Sequence, residues 1–230
     1  MSEPKRALVI VAHPDDAEFL CAGSVARWVS EGWEVGYVLV TSGDKGSNDE
    51  EMTSERLGEI REEEQRAAAK VLGVSTCVFL GYPDGFVEDT AELRGELVRE
   101  IRRFKPDVVV TWDPYRLGHN HRDHRLTGQA ALDAAYPLSR SRLYYPEHMA
   151  EGLEPHRAKE ALLAGSDRAN YHVDVSDFFG KKMKALRCHK SQLGRYPFSE
   201  VRKRVRQRMA EAGKEAGFKL AEGFHRLEWR

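Results

Sequence analysis

The sequence predicts a doubly wound α/β protein, with a mainly parallel sheet and helices on both of its faces. Three observations predict it. Strand-like and helix-like segments alternate from residue 7 to residue 112. The first strand-like segment is a continuous apolar run (ALVIVA), as expected of a parallel strand buried on both sides. The residues that follow the first and fourth strand-like segments are densely polar, and open α/β sheets bind ligands beyond the carboxyl ends of their strands.

Taken in order, residues 7–12 form the first strand. Residues 17–31 carry Phe19, Leu20, Val25, Trp28 and Val29 at helical spacing and stop at Gly32, a residue suited to a helix C-terminus. Residues 34–41 read as a second strand, 54–72 as a long helix ended by Gly73, and 75–80 as a third strand. Residues 90–104 are a helix, and 108–112 a fourth strand after Pro106-Asp107. This βαβα order implies right-handed crossovers. Beyond residue 113 the pattern loosens into a loop (114–121), a helix (122–135), a short strand (172–175) and helices over 177–192 and 200–220. No repeat or linker interrupts the chain, so residues 1–230 are expected to form a single domain, with 137–230 as its C-terminal elaboration.

Composition narrows the function classes. The 230 residues are 41% hydrophobic and 32% charged, and no apolar run approaches the ~20 residues needed to span a bilayer. Lys5 and Arg6 before a short apolar stretch loosely imitate a leader peptide, but the stretch ends at Ala12 without a small-residue cleavage site. Cys21, Cys77 and Cys188 are odd in number and widely spaced, which argues against a disulfide framework and for a reducing cytoplasm. A net charge of −1 provides no field for nucleic acid or an anionic membrane. The acidic stretch 49–66 and the basic run 202–208 (RKRVRQR) read as solvated helix faces, since no aromatic residue interleaves the basic run.

The chemistry concentrates at two strand ends. The first strand runs into His13-Pro14-Asp15-Asp16-Ala17-Glu18. If a helix starts near Asp15 or Asp16, His13 and Asp16 converge while Asp15 faces elsewhere. The fourth strand leads to His119-Asn120-His121-Arg122-Asp123-His124, which supplies a third ligand. Catalytic zinc sites use three protein ligands from His and carboxylate and leave one position for water, so His13, Asp16 and His124 complete a set for Zn2+. Asp15 is then the candidate general base, His121 the imidazole that stabilises the oxyanion and protonates the leaving group, and Asp123 a carboxylate that orients an imidazole. Taken singly each residue has a plainer role. Asp15 or Asp16 can cap a helix for about 1 kcal/mol, and His13 can be a hydrogen-bonded strand-end histidine.

The segment Ala12-His13-Pro14-Asp15-Asp16-Ala17-Glu18 resembles the AHPDDxE signature of the PIG-L/LmbE-like zinc-dependent N-deacetylases, and His121-Arg122-Asp123-His124 resembles their HxDH motif. Gly81-Tyr82-Pro83-Asp84-Gly85 is similar to the family's GxxDG turn, and His189-Lys190-Ser191-Gln192 to its late HxSQ segment, so the marks run from residue 12 to residue 192. The resemblance implies a Rossmann-like fold and zinc-dependent removal of an acetyl group from an N-acetylated amino sugar or related conjugate. By position it makes His13, Asp16 and His124 the zinc ligands, Asp15 the base, His121 the oxyanion stabiliser or general acid, and Asp123 its orienting partner. It puts Arg56 where the family has a substrate-contacting arginine; a surface arginine is the alternative. Asp84 fixes the glycine-rich turn or touches substrate, and His189 and Gln192 face the pocket or the helix surface.

Two other functions compete. The resemblance also reaches hydratases that add zinc-activated water to an unsaturated oxo or dicarboxylic acid, for which Arg56, Arg116 and Arg122 are available as cationic groups. A non-catalytic nucleotide-binding module would need a glycine-rich phosphate loop after the first strand, where this sequence has carboxylates instead. The expected partner is therefore a small-molecule substrate, an amino sugar or glycoconjugate, with no nucleic acid and no membrane. The resemblance allows a homo-oligomer, and no segment identifies its interface. Specificity is expected from the loops 44–55, 114–121 and 137–170.

Overall fold

Buried alternation organises the sheet. In β1 (Arg6–Val11), Ala7, Val9 and Val11 pack into one core layer and Leu8 and Ile10 into the other, as the two-residue period of a strand requires. The computed structural model describes residues 4–194 and 196–229. After β1 come α1 (Asp16–Ser30), β2 (Glu34–Thr41), α2 (Ser54–Leu72), β3 (Thr76–Tyr82), α3 (Ala91–Phe104), β4 (Val108–Trp112) and α4 (Arg122–Ala135). The C-terminal part adds β5 (Glu160–Ala164), β6 (Tyr171–Asp174), α5 (Phe179–Leu186), α6 (Lys190–Leu193), α7 (Phe198–Ala216) and β7 (Ala221–Glu228). Two short 3-10 helices, Leu138–Arg140 and Pro146–Glu151, lie between α4 and β5.

The seven strands are ordered β3-β2-β1-β4-β5-β7-β6. The first five are mutually parallel, while β7 runs antiparallel to both β5 and β6. One face carries residues of α1, α2, α5 and α7, among them Val25, Leu72, Met183 and Met209. The opposite face carries Leu93, Leu97 and Ile101 of α3 with Ala130 and Ala134 of α4. Helices thus cover both sides, as the sequence predicts. Strand order reverses between β1 and β4, which pair Ala7 with Val108 and Val9 with Val110. The two polar clusters therefore emerge side by side at the switch point of a doubly wound sheet.

The second half departs from the sequence reading in three places. Helix 177–192 is broken after Leu186, because His189 leaves helical geometry (φ −79°, ψ 65°) to bury its ring against Glu18. The helix expected over 200–220 ends at Ala216, capped by Gly217 at φ 75°, a left-handed conformation that glycine adopts without penalty. Residues 221–228 then form β7, and together with β5 it was not legible as strand. Glu222 of β7 is buried, accepting hydrogen bonds from Ser24 N (2.7 Å) and Gly23 N (2.9 Å) and pairing with buried Lys182 (2.7 Å). Between α4 and β5, fully buried Arg102 donates to the carbonyls of Ser139, Ser141, Tyr144 and Tyr145, fixing a segment with little regular structure of its own. No helix among the described residues is long and apolar enough to cross a membrane.

Candidate active site

The turn after β1 is strained and held from outside. Thr41 of β2 caps the strand end by donating twice to Ala12 O. Asp15 then adopts φ 91°, ψ −23°, a left-handed conformation that costs a non-glycine residue on the order of 1–3 kcal/mol. Its amide donates to Gln65 Oε1 at 2.9 Å, and Gln65 Nε2 donates to both oxygens of buried Glu18. Glu18 in turn meets His189 Nε2 at 3.0 Å. This network joins α1, α2 and the α5–α6 junction around Asp15, so His189 supports the turn from behind and does not line the cavity.

The turn brings the side chains of His13, Asp16 and His124 together. His13 Nδ1 lies 3.1 Å from His124 Nε2 and 3.5 Å from Asp16 Oδ2, and His124 Nε2 lies 3.2 Å from Asp16 Oδ1. Ligands about 2.0–2.2 Å from a tetrahedral zinc are separated by roughly 3.3–3.6 Å, and the two nitrogens and the two Asp16 oxygens lie at distances close to that spacing. Asp16 Oδ2 accepts from His13 N and Trp112 Nε1, both at 3.0 Å, which fixes the carboxylate with Oδ1 toward His124. The indole of Trp112 also stacks on His124 at 4.0 Å. Close packing makes this possible: a Cβ on Gly128 of α4 would stand 2.5 Å from Trp112 O, so glycine lets α4 sit against the end of β4.

The far nitrogens of both imidazoles are occupied. His13 Nε2 lies 3.1 Å from Asp84 Oδ1 and 3.1 Å from Asp123 Oδ2, and His124 Nδ1 lies 3.2 Å from His119 Nε2. A proton held on the far nitrogen leaves the near one with its lone pair exposed, the arrangement by which carboxylates orient metal-binding histidines. Asp123 is fully buried and also accepts from Gly85 N at 2.7 Å, clamping the Gly81–Gly85 turn that carries Asp84. Two groups able to hold a metal share His13: one with His121 and His124, the other with Asp84 and Asp123 on the other edge of the ring.

The carboxylates dominate the electrostatics of the cluster. Burial by itself would lower the His13 pKa, yet hydrogen bonds to Asp123, Asp16 and Asp84 outweigh it and push it up to about 11. Burial pushes Asp84 up, but its bond to His13 holds it down at about 2. Asp16 lies well below the usual carboxylate range, burial being overcome by His124 and His13. Asp15 behaves oppositely: burial, opposed by Arg61 and assisted by Asp16, pushes it up to about 6. Asp15 thus holds its proton more tightly than its neighbours Asp16 and Asp84.

The donors open onto a cavity of about 640 Å³. His13, Asp15, Asp16, Asp84, His121, His124 and Gln192 line it. The ring of His121 stacks on His124 at 4.1 Å, and burial followed by the charges of His124 and His13 lowers its pKa. Asp123 hydrogen-bonds His13 rather than His121, so the carboxylate that the sequence reading paired with His121 serves a different ring. Arg56 is exposed on the outer face of α2 and lies outside the cavity. Arg61, five residues later, is the arginine at the floor: it donates to Pro14 O (2.6 Å) and Gly43 O (2.8 Å) and sits 3.5 Å from Asp15 Oδ2. Gly43 at φ 64° makes room for it, since a Cβ there would fall 2.3 Å from Arg61 Nη1. Trp112, His119, Gln65 and Arg61 were all missed from the sequence. The only signal was the crowding of polar residues near the two strand ends.

Fold and donor geometry together define a Rossmann-like protein with a histidine and carboxylate centre at the switch point, and comparison with known proteins is consistent with that description. The PIG-L family, described as GlcNAc-PI de-N-acetylase, matches residues 8–135, more than half of the chain. The chain belongs to this family. The diacetylchitobiose deacetylase of Thermococcus kodakarensis is 31% identical over 222 residues, covering 96% of this chain and 83% of that protein. The structure of N,N'-diacetylchitobiose deacetylase from Pyrococcus horikoshii superposes with a TM-score of 0.91 at 30% identity, over 98% of this chain and 85% of that one. The 4-carboxy-2-hydroxymuconate hydratase of Pseudomonas putida shares the fold, with a TM-score of 0.81 at 24% identity over 98% of this chain and 97% of that one.

Proposed function

We propose that the protein is a zinc-dependent amidohydrolase that removes the acetyl group from an N-acetylated amino sugar or a related small conjugate. The observation that carries this reading is the 3.1–3.5 Å spacing of His13 Nδ1, Asp16 and His124 Nε2 at the floor of the cavity, with Asp15 beside them. Relatives that are deacetylases of N-acetylated sugars support the reaction class. His13, Asp16 and His124 would hold the ion. A zinc ion bound there supplies Lewis acidity and lowers the pKa of water in its shell from 15.7 to about 7.

The chain's own residues divide the remaining work. Asp15 accepts the proton of the attacking water, its backbone locked by Gln65 and its carboxylate oriented by Arg61. His121, stacked on the ring of His124, hydrogen-bonds the carbonyl oxygen as it gains charge, and the proton that Asp15 takes from water is handed on to the departing amine. With an ion present, Asp84 and Asp123 would hold the His13 proton on Nε2 and leave Nδ1 free to bind it. Trp112 fixes Asp16 and covers one face of His124, excluding water from the ligands.

The test combines elemental analysis with an assay of acetate release from a panel of N-acetyl sugars and conjugates, run beside an assay for hydration of unsaturated dicarboxylic acids. About one zinc per chain is expected, with acetate released and no hydration, and His124→Ala should lose the metal. A metal-free wild-type protein, or hydration without acetate release, would sink the proposal.

A further inference from the structure

The basic run 202–208 does not form one solvated face. Within α7, Arg202 and Arg206 lie over the ring of Phe179, at 4.7 Å and 5.4 Å from its centre. Val205 and Met209 enter the core. Arg204 and Arg208 point the other way and line the cavity that holds the metal donors, together with Glu200 one turn earlier. Arg27, Arg66 and Arg99 pair with Glu31, Glu62 and Glu151, whereas exposed Arg56, Arg116, Arg142 and Arg157 form no ion pair among the described residues and lie outside the cavity. Arg204 and Arg208 have no ion pair and no hydrogen bond among the described residues, and Glu200 forms none with them although it shares their wall. Two guanidinium groups one turn apart, about 6 Å along the helix, repel each other slightly when nothing lies between them.

The cavity is therefore electrically polarised. Its floor is carboxylate-rich, with Asp15, Asp16 and Asp84 balanced by Arg61 and by whatever cation His13 and His124 hold. Its α7 wall is cationic. An anion is repelled from the floor and attracted to the wall, where guanidinium forks match phosphate and carboxylate oxygens. We propose that Arg204 and Arg208 form a subsite for an anionic group, phosphate or carboxylate, that the substrate carries at the end remote from its acetamide. The inference rests on the amidohydrolase reading, which sets the acetamide at the floor, and it makes the substrate an acidic N-acetylated conjugate rather than a neutral sugar.

Three matched probes test it: phenyl, 4-carboxyphenyl and 4-phosphonooxyphenyl glucosaminides, the amine products of the corresponding N-acetyl glycosides. Titration calorimetry with the metal-loaded protein should give at least one anionic amine an advantage over the phenyl amine of roughly ten- to hundredfold. The two anionic arms distinguish carboxylate from phosphate. In Arg204→Gln/Arg208→Gln the advantage should collapse, with the anionic amine losing far more affinity than the neutral one, and Arg204→Lys/Arg208→Lys should retain most of it. No advantage in the wild type, or equal losses for charged and neutral amines in a variant with an unchanged thermal midpoint, overturns the subsite. Product binding needs no turnover. If none of the three N-acetyl glycosides releases acetate while the arginine-dependent advantage persists, the amidohydrolase reading falls and the anion subsite stands.

Discussion

His119 Nε2 lies 3.2 Å from His124 Nδ1, while the opposite nitrogen of His124 faces Asp16 and His13. His119 Nδ1 in turn reaches Asp113 O at 3.5 Å. The simplest proton arrangement runs outward to inward: His119 Nδ1 donates to the carbonyl, and His124 Nδ1 donates to His119 Nε2. His124 is then left with a free Nε2, the tautomer a metal requires. We predict that His119→Ala weakens zinc binding by about 10- to 100-fold, the usual effect of removing the group that orients a ligand. His119→Gln, which keeps an acceptor, should recover part of it. Competition with a chromogenic chelator measures this directly, and an unchanged zinc affinity in His119→Ala would remove His119 from the centre.

The neighbouring aspartates should separate in their effects. Asp16 is tied to both candidate histidine ligands, whereas Asp15 meets Arg61 and the cavity. Asp15→Asn is predicted to retain zinc and lose roughly 10²- to 10⁴-fold in kcat, the contribution expected of a general base. Metal content and steady-state rates on the same preparation decide it; full activity in Asp15→Asn would transfer the role elsewhere.

A buried ion pair ties the C-terminal strand to the first helix. Lys182 Nζ meets Glu222 at 2.7 Å and also donates to Phe19 O, with both side chains almost wholly out of solvent. Lys182→Met leaves an uncompensated buried carboxylate and is expected to cost about 3–5 kcal/mol. Lys182→Met/Glu222→Gln, which removes the charge but keeps an acceptor for the amides of Gly23 and Ser24, should recover much of that loss. Urea unfolding of the three proteins provides the comparison, and a single variant as stable as wild type would show that the pair contributes nothing.

His148 is buried against Arg102, with Nδ1 3.3 Å from Nη1. Burial first, then the charges of Arg99 and Arg102, hold its pKa below the ordinary value of 6.5, against weaker opposing effects of Glu147 and Glu151. Above about pH 6.5 both folded and unfolded chains carry a neutral ring, so nothing is lost. Below it the unfolded chain gains a proton that the folded chain refuses, and His148 then subtracts from stability as the pH falls. Urea unfolding at about pH 7.5 and about pH 5.5 should therefore give a smaller acid loss for His148→Gln than for wild type. Equal losses would exclude His148 as a source of acid sensitivity.

The sequence by itself determined the parts of this protein that depend on neighbours along the chain. The run ALVIVA can only be a strand buried on both faces, and His13 and Asp16, three residues apart across a strand-to-helix turn, converge for local reasons. The cluster from His119 to His124 was placed beside them by the switch-point rule, without any contact being known. Tertiary structure decided what lies across the chain. Glu18 and His189 are 171 residues apart, and only their burial together explains why the helix over 177–192 breaks. The segment EALLA, rich in residues that favour helix, is a strand because β4 and β7 supply its hydrogen bonds. Arg61 displaces Arg56 at the cavity because position on a helix, not proximity to its start, chooses the inward face. The basic run shows the same limit. Its charge was plain in the sequence, but which two of its arginines face the cavity depends on how α7 packs against α5 and β7. Local spacing names the candidate ligands; the packing of distant segments sets their protonation, their supports and the wall they face.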